Sequence, residues 1–172
     1  MKNLALLSVI FSPIFEIKSI KLSLTETKIR FEFGDIVVTS KLIDGTFPDY
    51  ERVIPKENDK EFEVNSRILS SAVDRVSAIS NEKSRAIKLS VEESKLILSA
   101  SSPGHGSAVE EIEIDYKDEG AEIGFNATYL MDIMRQIEGG NVQVSFFDSA
   151  SPTILREVGD SSAIFVLMPM RV

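Results

Sequence analysis

The side chains with the most obvious chemistry in this chain are acidic. Glu110, Glu111, Glu113 and Asp115 crowd one short stretch, a density that would suit general acid–base work or a hard cation held by carboxylates. The spacing points elsewhere. Glu111, Glu113 and Asp115 alternate with Ile112 and Ile114, as on a strand with one wet face and one dry face. No histidine joins them: the single histidine, His105, lies between Gly104 and Gly106, without an identifiable nucleophile partner. No phosphate-cradling loop is present. Cysteine is absent, which removes disulfides, thiolate metal sites and a cysteine nucleophile, and fits a reducing compartment. A small hydrolase or metal enzyme is therefore the rival reading; no catalytic residue, metal or cofactor is expected.

A second chemistry lies near the C-terminus, where Met168 and Met170 flank Pro169. Methionine is flexible and polarizable, so it suits a surface that must accept several ligands. Strand alternation places part of this set in a core instead. The formal charge of −8 and pI of about 4.8 are opposite to those of a dedicated nucleic-acid reader. Contact with DNA would run through a small local patch, weakly and without reading sequence. The composition, 43% hydrophobic and 27% charged, is that of a globular protein with room for one domain, or a domain and a fragment. The apolar run 4–11 behind Lys2 is shorter than the roughly 20 residues that span a bilayer. Ser12, Pro13, Ile14 and Phe15 follow it in place of a cleavage site. The run reads as a buried element or a ragged start.

The elements that would position these groups come from a repeat. Residues 21–33 are echoed by 88–100, and each reads as a hairpin. Residues 61–69 are echoed by 122–130, each a short strand running into an asparagine and then a helix. Asn65 and Asn126 are good N-caps because the side-chain oxygen accepts from early backbone N–H groups. Ile68, Leu69, Ala72, Val73, Val76 and Ile79 form one face of a helix expected at about 66–80. Leu130, Ile133, Met134 and Ile137 do so for a helix at about 127–138, stopped by Gly139 and Gly140. Strands are expected at 86–91, 95–100 and 107–115, and again at 142–147, 153–157 and 162–168. Residues 56–172 thus read as strand–helix–three strands, twice, each copy supplying one helix and a four-stranded sheet. The fold class is α+β: two helices packed on two antiparallel sheets with a pseudo-two-fold internal repeat. Residues 18–44 read as the last three strands of another such unit, at 20–24, 28–33 and 35–43.

Three motifs carry a resemblance. Thr46, Phe47, Pro48, Asp49 and Tyr50 run on to Pro55 as a linker. Ile123, Gly124, Phe125 and Asn126 lead to Tyr129, and Met168, Pro169, Met170, Arg171 and Val172 follow later. Together they resemble the bacterial DNA polymerase III beta subunit, the sliding clamp, from about Ile20 to Val172. The resemblance implies a cytoplasmic, non-catalytic processivity factor of DNA replication. In that family a ring-shaped homodimer of three-domain subunits surrounds double-stranded DNA. On this reading residues 1–48 are the end of the middle domain and 49–172 the C-terminal domain. Two such chains would hold too few domains to close a six-domain ring.

The same resemblance implies the sites. Partners such as the polymerase alpha subunit, the clamp loader and repair proteins insert a peptide into a groove. Carried over by motif, its residues are Pro48, Arg52 and Val53; Asn126 and Tyr129; Ala150 and Pro152; and Val166, Leu167, Met168, Pro169, Met170 and Arg171. The groove's other wall, a basic segment of the middle domain, has no counterpart here, so half a groove is expected. Arg67, Arg75 and Arg135 would face DNA, partly cancelled by Asp74 and Asp132. Ala78, Ile79 and Ser80 resemble the edge that meets the partner subunit. The alternatives are a stand-alone regulatory or interaction domain, antitoxin-like for example, and a truncated clamp without function.

Overall fold

The computed structural model describes residues 19–45, 49–81, 84–138 and 140–172. The chain divides into two compact units, Met1–Pro48 and Asp49–Val172. In the first, β1 (Lys21–Leu24), β2 (Lys28–Phe33) and β3 (Ile36–Lys41) form an antiparallel sheet in that order. Its register pairs Leu22 with Phe31, Leu24 with Ile29 and Phe31 with Val38. The alternating apolar residues therefore share one face. Gly34, at φ +53°, makes the tight turn into β3.

The second unit runs β4 (Lys60–Asn65), α1 (Ser66–Ser77), β5 (Ala86–Glu92), β6 (Lys95–Ser102) and β7 (Gly106–Glu113). It then repeats the order: β8 (Ala121–Asn126), α2 (Ala127–Met134), β9 (Asn141–Phe146), β10 (Thr153–Glu157) and β11 (Phe165–Leu167). Both asparagine caps form as their sequence dictates. The Asn65 Oδ1 accepts from the N–H groups of Arg67 and Ile68, at 3.1 and 3.3 Å. That of Asn126 accepts from Thr128 and Tyr129, at 2.9 and 3.4 Å. Each satisfies donors that a helix start leaves orphaned. Both helices end about three residues earlier than their apolar periodicity suggests. Ile79 and Ser80 bond to Val76 and Ser77, and Gln136 and Ile137 to Ile133 and Met134. These i→i+3 bonds tighten the last turn and carry Ile137 into the core without α geometry. Ile68 departs from the expected buried face: it is exposed, and the buried stripe is Leu69, Ala72, Val73 and Val76.

One expectation about pairing is corrected. Neither repeat builds its own sheet. The sheets are β11-β10-β9-β4 and β7-β6-β5-β8, so the lead strand of each half joins the three strands of the other. Phe62 lies opposite Val144, and Ile123 opposite Leu89. The exchange is locked at each helix start: Ser66 N–H donates to the Gly140 carbonyl at 3.1 Å, and Ala127 N–H to that of Arg85 at 2.8 Å. The two helices pack on each other, with Ser70 Oγ 3.6 Å from Met131 Sδ. Both sheets close over them around one core, in which Phe62, Tyr116 and Phe146 meet at ring-centroid distances of 6.2–6.5 Å. Aromatic contacts of this kind add to their area burial.

Candidate functional site

The two halves differ most at their last strands, and the candidate site lies at the shorter one. β11 pairs with β10 for only three residues, Leu167 opposite Thr153 to Phe165 opposite Leu155. Leu167 is buried in the core, while Met168, the next residue, is 61% exposed. Pro169 has no N–H to continue a ladder. The chain then crosses to the other sheet, where Met170 N–H donates to the Gly124 carbonyl at 2.9 Å. This is a single antiparallel bridge on the outer edge of β8. A cleft of about 930 Å3 opens beside this tail. Ala150, Pro169, Met170 and Arg171 line it together. Its wall on the sheet carries an ion pair, Lys88 Nζ to Glu122 Oε1 at 2.8 Å. The lysine bond holds the Glu122 carboxyl below the ordinary carboxylate range.

Ala150 is fixed by a turn. Asp148 Oδ1 accepts from the Ala150 and Ser151 N–H groups at 2.9 and 2.6 Å, and these bonds lower the Asp148 pKa. Lys60 braces the preceding residue, donating to the Phe147 carbonyl at 3.0 Å. Pro152 is half-buried, and its carbonyl accepts from Asn58 Nδ2 at 3.1 Å.

The other groove residues separate into two kinds. Tyr129 on α2 is 61% exposed, and Arg52 and Val53 are exposed beside the short 3-10 turn Tyr50–Arg52, with Arg52 Nε 3.0 Å from Asp49 Oδ2. These offer free surface. Asn126 and Leu167 do not: Asn126 is occupied as a cap and also donates from Nδ2 to the Ser84 carbonyl at 3.1 Å, and Leu167 is core. Val166 is half-buried opposite Ile154. Pro48 lies outside the described residues, as does Gly139.

The arginines expected to face DNA are not equivalent. Arg75 forms a two-point ion pair with Glu110 of β7, Nε to Oε2 at 2.9 Å and Nη2 to Oε1. Sequence pointed to Asp74 as its counter-charge; the closer partner is on another element. The guanidinium holds the Glu110 carboxyl below its usual range. Arg135 pairs with Asp132 at 2.8 Å. Arg67 is exposed, has no ion pair among the described residues, and borders a hollow with Ser70, Met134 and Glu138. At the expected subunit edge, Ala78 is exposed and Ile79 half-buried. Ser80 is buried, donating from Oγ to the Ser77 carbonyl at 2.7 Å. Among the described residues no group of three or more His, Cys, Asp or Glu could hold a metal ion. None of their helices is long and apolar enough to cross a membrane.

Sequence reasoning gave no role to Gly124 or Asp148, and read Glu110 as part of an acidic stretch rather than as the partner of Arg75. Gly124 stood inside a quoted motif, yet a glycine in a strand carries no label for what lies against it. Asp148 did carry a signal, since Asp two and three residues before a Ser/Pro turn commonly accepts from its own backbone.

Two helices back to back, beneath two sheets that exchange their first strands, make a sliding-clamp-type domain. The chain belongs to the DNA polymerase III beta subunit family, whose C-terminal domain matches residues 51–171. It is 47% identical over 155 residues to the beta sliding clamp of Caulobacter vibrioides strain NA1000, covering 90% of this chain and 42% of that protein. It is 38% identical over 152 residues to the beta sliding clamp of Escherichia coli K12, covering 88% and 42%. The crystal structure of the DnaN sliding clamp from Bartonella birtlesii bound to griselimycin superposes with a TM-score of 0.82 at 45% identity, covering 98% of this chain and 44% of that one. The chain therefore spans less than half the length of these relatives.

Proposed function

We propose that this chain works as the partner-docking part of a sliding clamp. It would tether the DNA polymerase III alpha subunit, the clamp loader and repair proteins to double-stranded DNA, without catalysis of its own. The setting would be the cytoplasm. The ligand is an extended peptide received by Met168, Pro169, Met170, Arg171, Ala150 and Tyr129, with Arg52 and Val53 at the border. The observation that carries this is the tail itself: Met168 stands exposed next to a cleft that Met170, Pro169, Arg171 and Ala150 line together. The cleft sets these residues beside Lys88, Glu122 and four serines, and a peptide site uses apolar contacts together with placed polar groups. Residues 1–48 would be the end of the clamp's middle domain. The exposed Arg67 and the two paired arginines would meet the phosphate backbone loosely, a contact weakened by salt and indifferent to sequence.

Griselimycin, the ligand of the Bartonella relative, serves as the probe. Calorimetric titration of this chain and of Met170→Ala should give an affinity lower by about tenfold for the variant. Losing roughly 60 Å2 of apolar contact at about 25 cal/mol per Å2 amounts to about 1.5 kcal/mol, one decade. Equal affinities would remove Met170 from the site. An Arg52→Ala change should matter less, because exposed charges at a rim contribute little.

A further inference from the structure

Nothing in the tail's own sequence explains why it lies where it does. Met168 to Val172 pair with no strand of their own sheet, and Arg171 and Val172 are exposed. What holds the tail is the absence of a side chain on β8. A Cβ built on Gly124 would lie 2.3 Å from the Met170 carbonyl oxygen, and 2.6 and 2.8 Å from the two γ-methyl carbons of Val172. Real Cβ contacts essentially never fall below 3.0 Å. One of these neighbours is backbone and cannot swing aside. The Gly124 backbone is ordinary extended strand, with no positive φ. Glycine is therefore needed here for close approach and not for conformation. The same residue supplies the carbonyl that receives the Met170 N–H at 2.9 Å.

We propose that Gly124 is a positioning residue for the peptide site: it borders the same cleft, it is the seat of the C-terminal tail, and it sets where Met168 and Met170 stand. This rests on the function proposed above, since it assigns Gly124 a role in that same site. The mechanism is steric and local. Any side chain at position 124 lifts the Met170–Val172 segment off β8 and breaks the one bridge. The two methionines then sample many positions, and a ligand must order them on binding. The three nearest neighbours of that Cβ all belong to the tail and none to β5, where Lys88 lies opposite Gly124.

Two readouts test this, and they fail independently. Hydrogen exchange followed by mass spectrometry reports seating without any ligand. The amide of Met170 should be protected in the native chain. In Gly124→Ala it should exchange at least about tenfold faster, as a freed tail does, while core amides such as Val144 and Leu98 keep their protection. Griselimycin titration then reports the consequence, an affinity loss of about tenfold or more, comparable to that of Met170→Ala. A double variant, Gly124→Ala with Val172→Gly, removes both γ-methyl contacts but leaves the carbonyl clash. Because that carbonyl is backbone, the double variant should stay as unprotected and bind as weakly as Gly124→Ala alone, whereas full recovery would overturn the backbone seat and leave only a Val172 side-chain clash. Unchanged Met170 protection in Gly124→Ala would overturn the seat. A lifted tail with undiminished griselimycin affinity, where Met170→Ala does lose affinity, would overturn the positioning role. If the native chain binds no griselimycin, the proposed function falls and the positioning role with it, while the exchange data still decide whether Gly124 seats the tail.

Discussion

The two halves of the second unit share an element order and differ at their final strands. β7 runs through Gly106–Glu113 and pairs with β6 along its whole length, from Ser102 opposite Gly106 to Lys95 opposite Glu113. Its counterpart β11 stops after Phe165–Leu167. The chain that would have extended it crosses to the other sheet at Gly124 instead. The first half thus completes the repeat and presents alternating acidic residues to solvent. The second half breaks the repeat and leaves Met168 exposed beside a cleft. In a duplicated fold, such a departure marks where function is to be sought. Residues that obey the repeat are accounted for by packing, and those that depart from it need another reason.

The largest expected effect sits where the halves are alike. Phe62 of the first lead strand packs on Tyr116 and on Phe146 of the second half. Phe62→Ala should cost about 3–5 kcal/mol in urea unfolding, the usual cost of emptying an aromatic core site. Because each lead strand pairs into the other half, unfolding followed by far-UV circular dichroism and by Tyr116 near-UV signal should coincide. Separate transitions for the two halves would break the account of exchanged strands.

Smaller effects sharpen the contrast. Asn65→Ala and Asn126→Ala each remove a cap, at about 1 kcal/mol. Asn126 also holds the Ser84 carbonyl, so its loss should be the greater, toward 2 kcal/mol, in the same urea assay. Glu110→Gln should leave stability almost unchanged, as exposed ion pairs do. It would release Arg75 and raise the affinity for double-stranded DNA at low salt, read by fluorescence anisotropy. An unchanged affinity would take Arg75 out of the DNA face.

The pH dependence is the finest of these effects. Glu110, Glu122, Asp148 and Asp160 all have carboxyl pKa values lowered in the folded chain, by Arg75, by Lys88, and by backbone N–H groups at the two aspartates. A depressed pKa contributes stability above the unfolded value, about 4, and that contribution is lost as pH falls through the folded value. The urea midpoint should therefore hold steady from pH 7 to 5 and decline below about 4. Asp148→Asn should flatten that decline slightly.

Much of this architecture was legible in the residues. The asparagine caps, the Leu69–Ala72–Val73–Val76 stripe and the turn glycines specify local structure, and local rules read them. The exchange of lead strands was not legible. Alternation along β4 or β8 records which face is buried but not which neighbour supplies the hydrogen bonds. The helix ends were overrun because Ile79 and Ile137 keep the apolar period while their backbones tighten to i→i+3 bonds. At the candidate site, the Met168–Pro169–Met170 pattern announced itself through composition. The burial of Leu167 beside it follows from strand alternation. Gly124 and Glu110 act through contacts made far along the chain, with Met170 and with Arg75, and no local pattern encodes a distant partner.

The proposed ligand site lies where the repeat breaks its own symmetry. Hydrogen exchange of the native chain with and without saturating griselimycin compares the two halves within one molecule. The account predicts slowed exchange at Tyr129, Ala150, Met168, Met170 and Arg171, and none at the matching end of the first half, around Glu113 and Ile114. Slowing at Glu113 and Ile114 with none in the tail would contradict it.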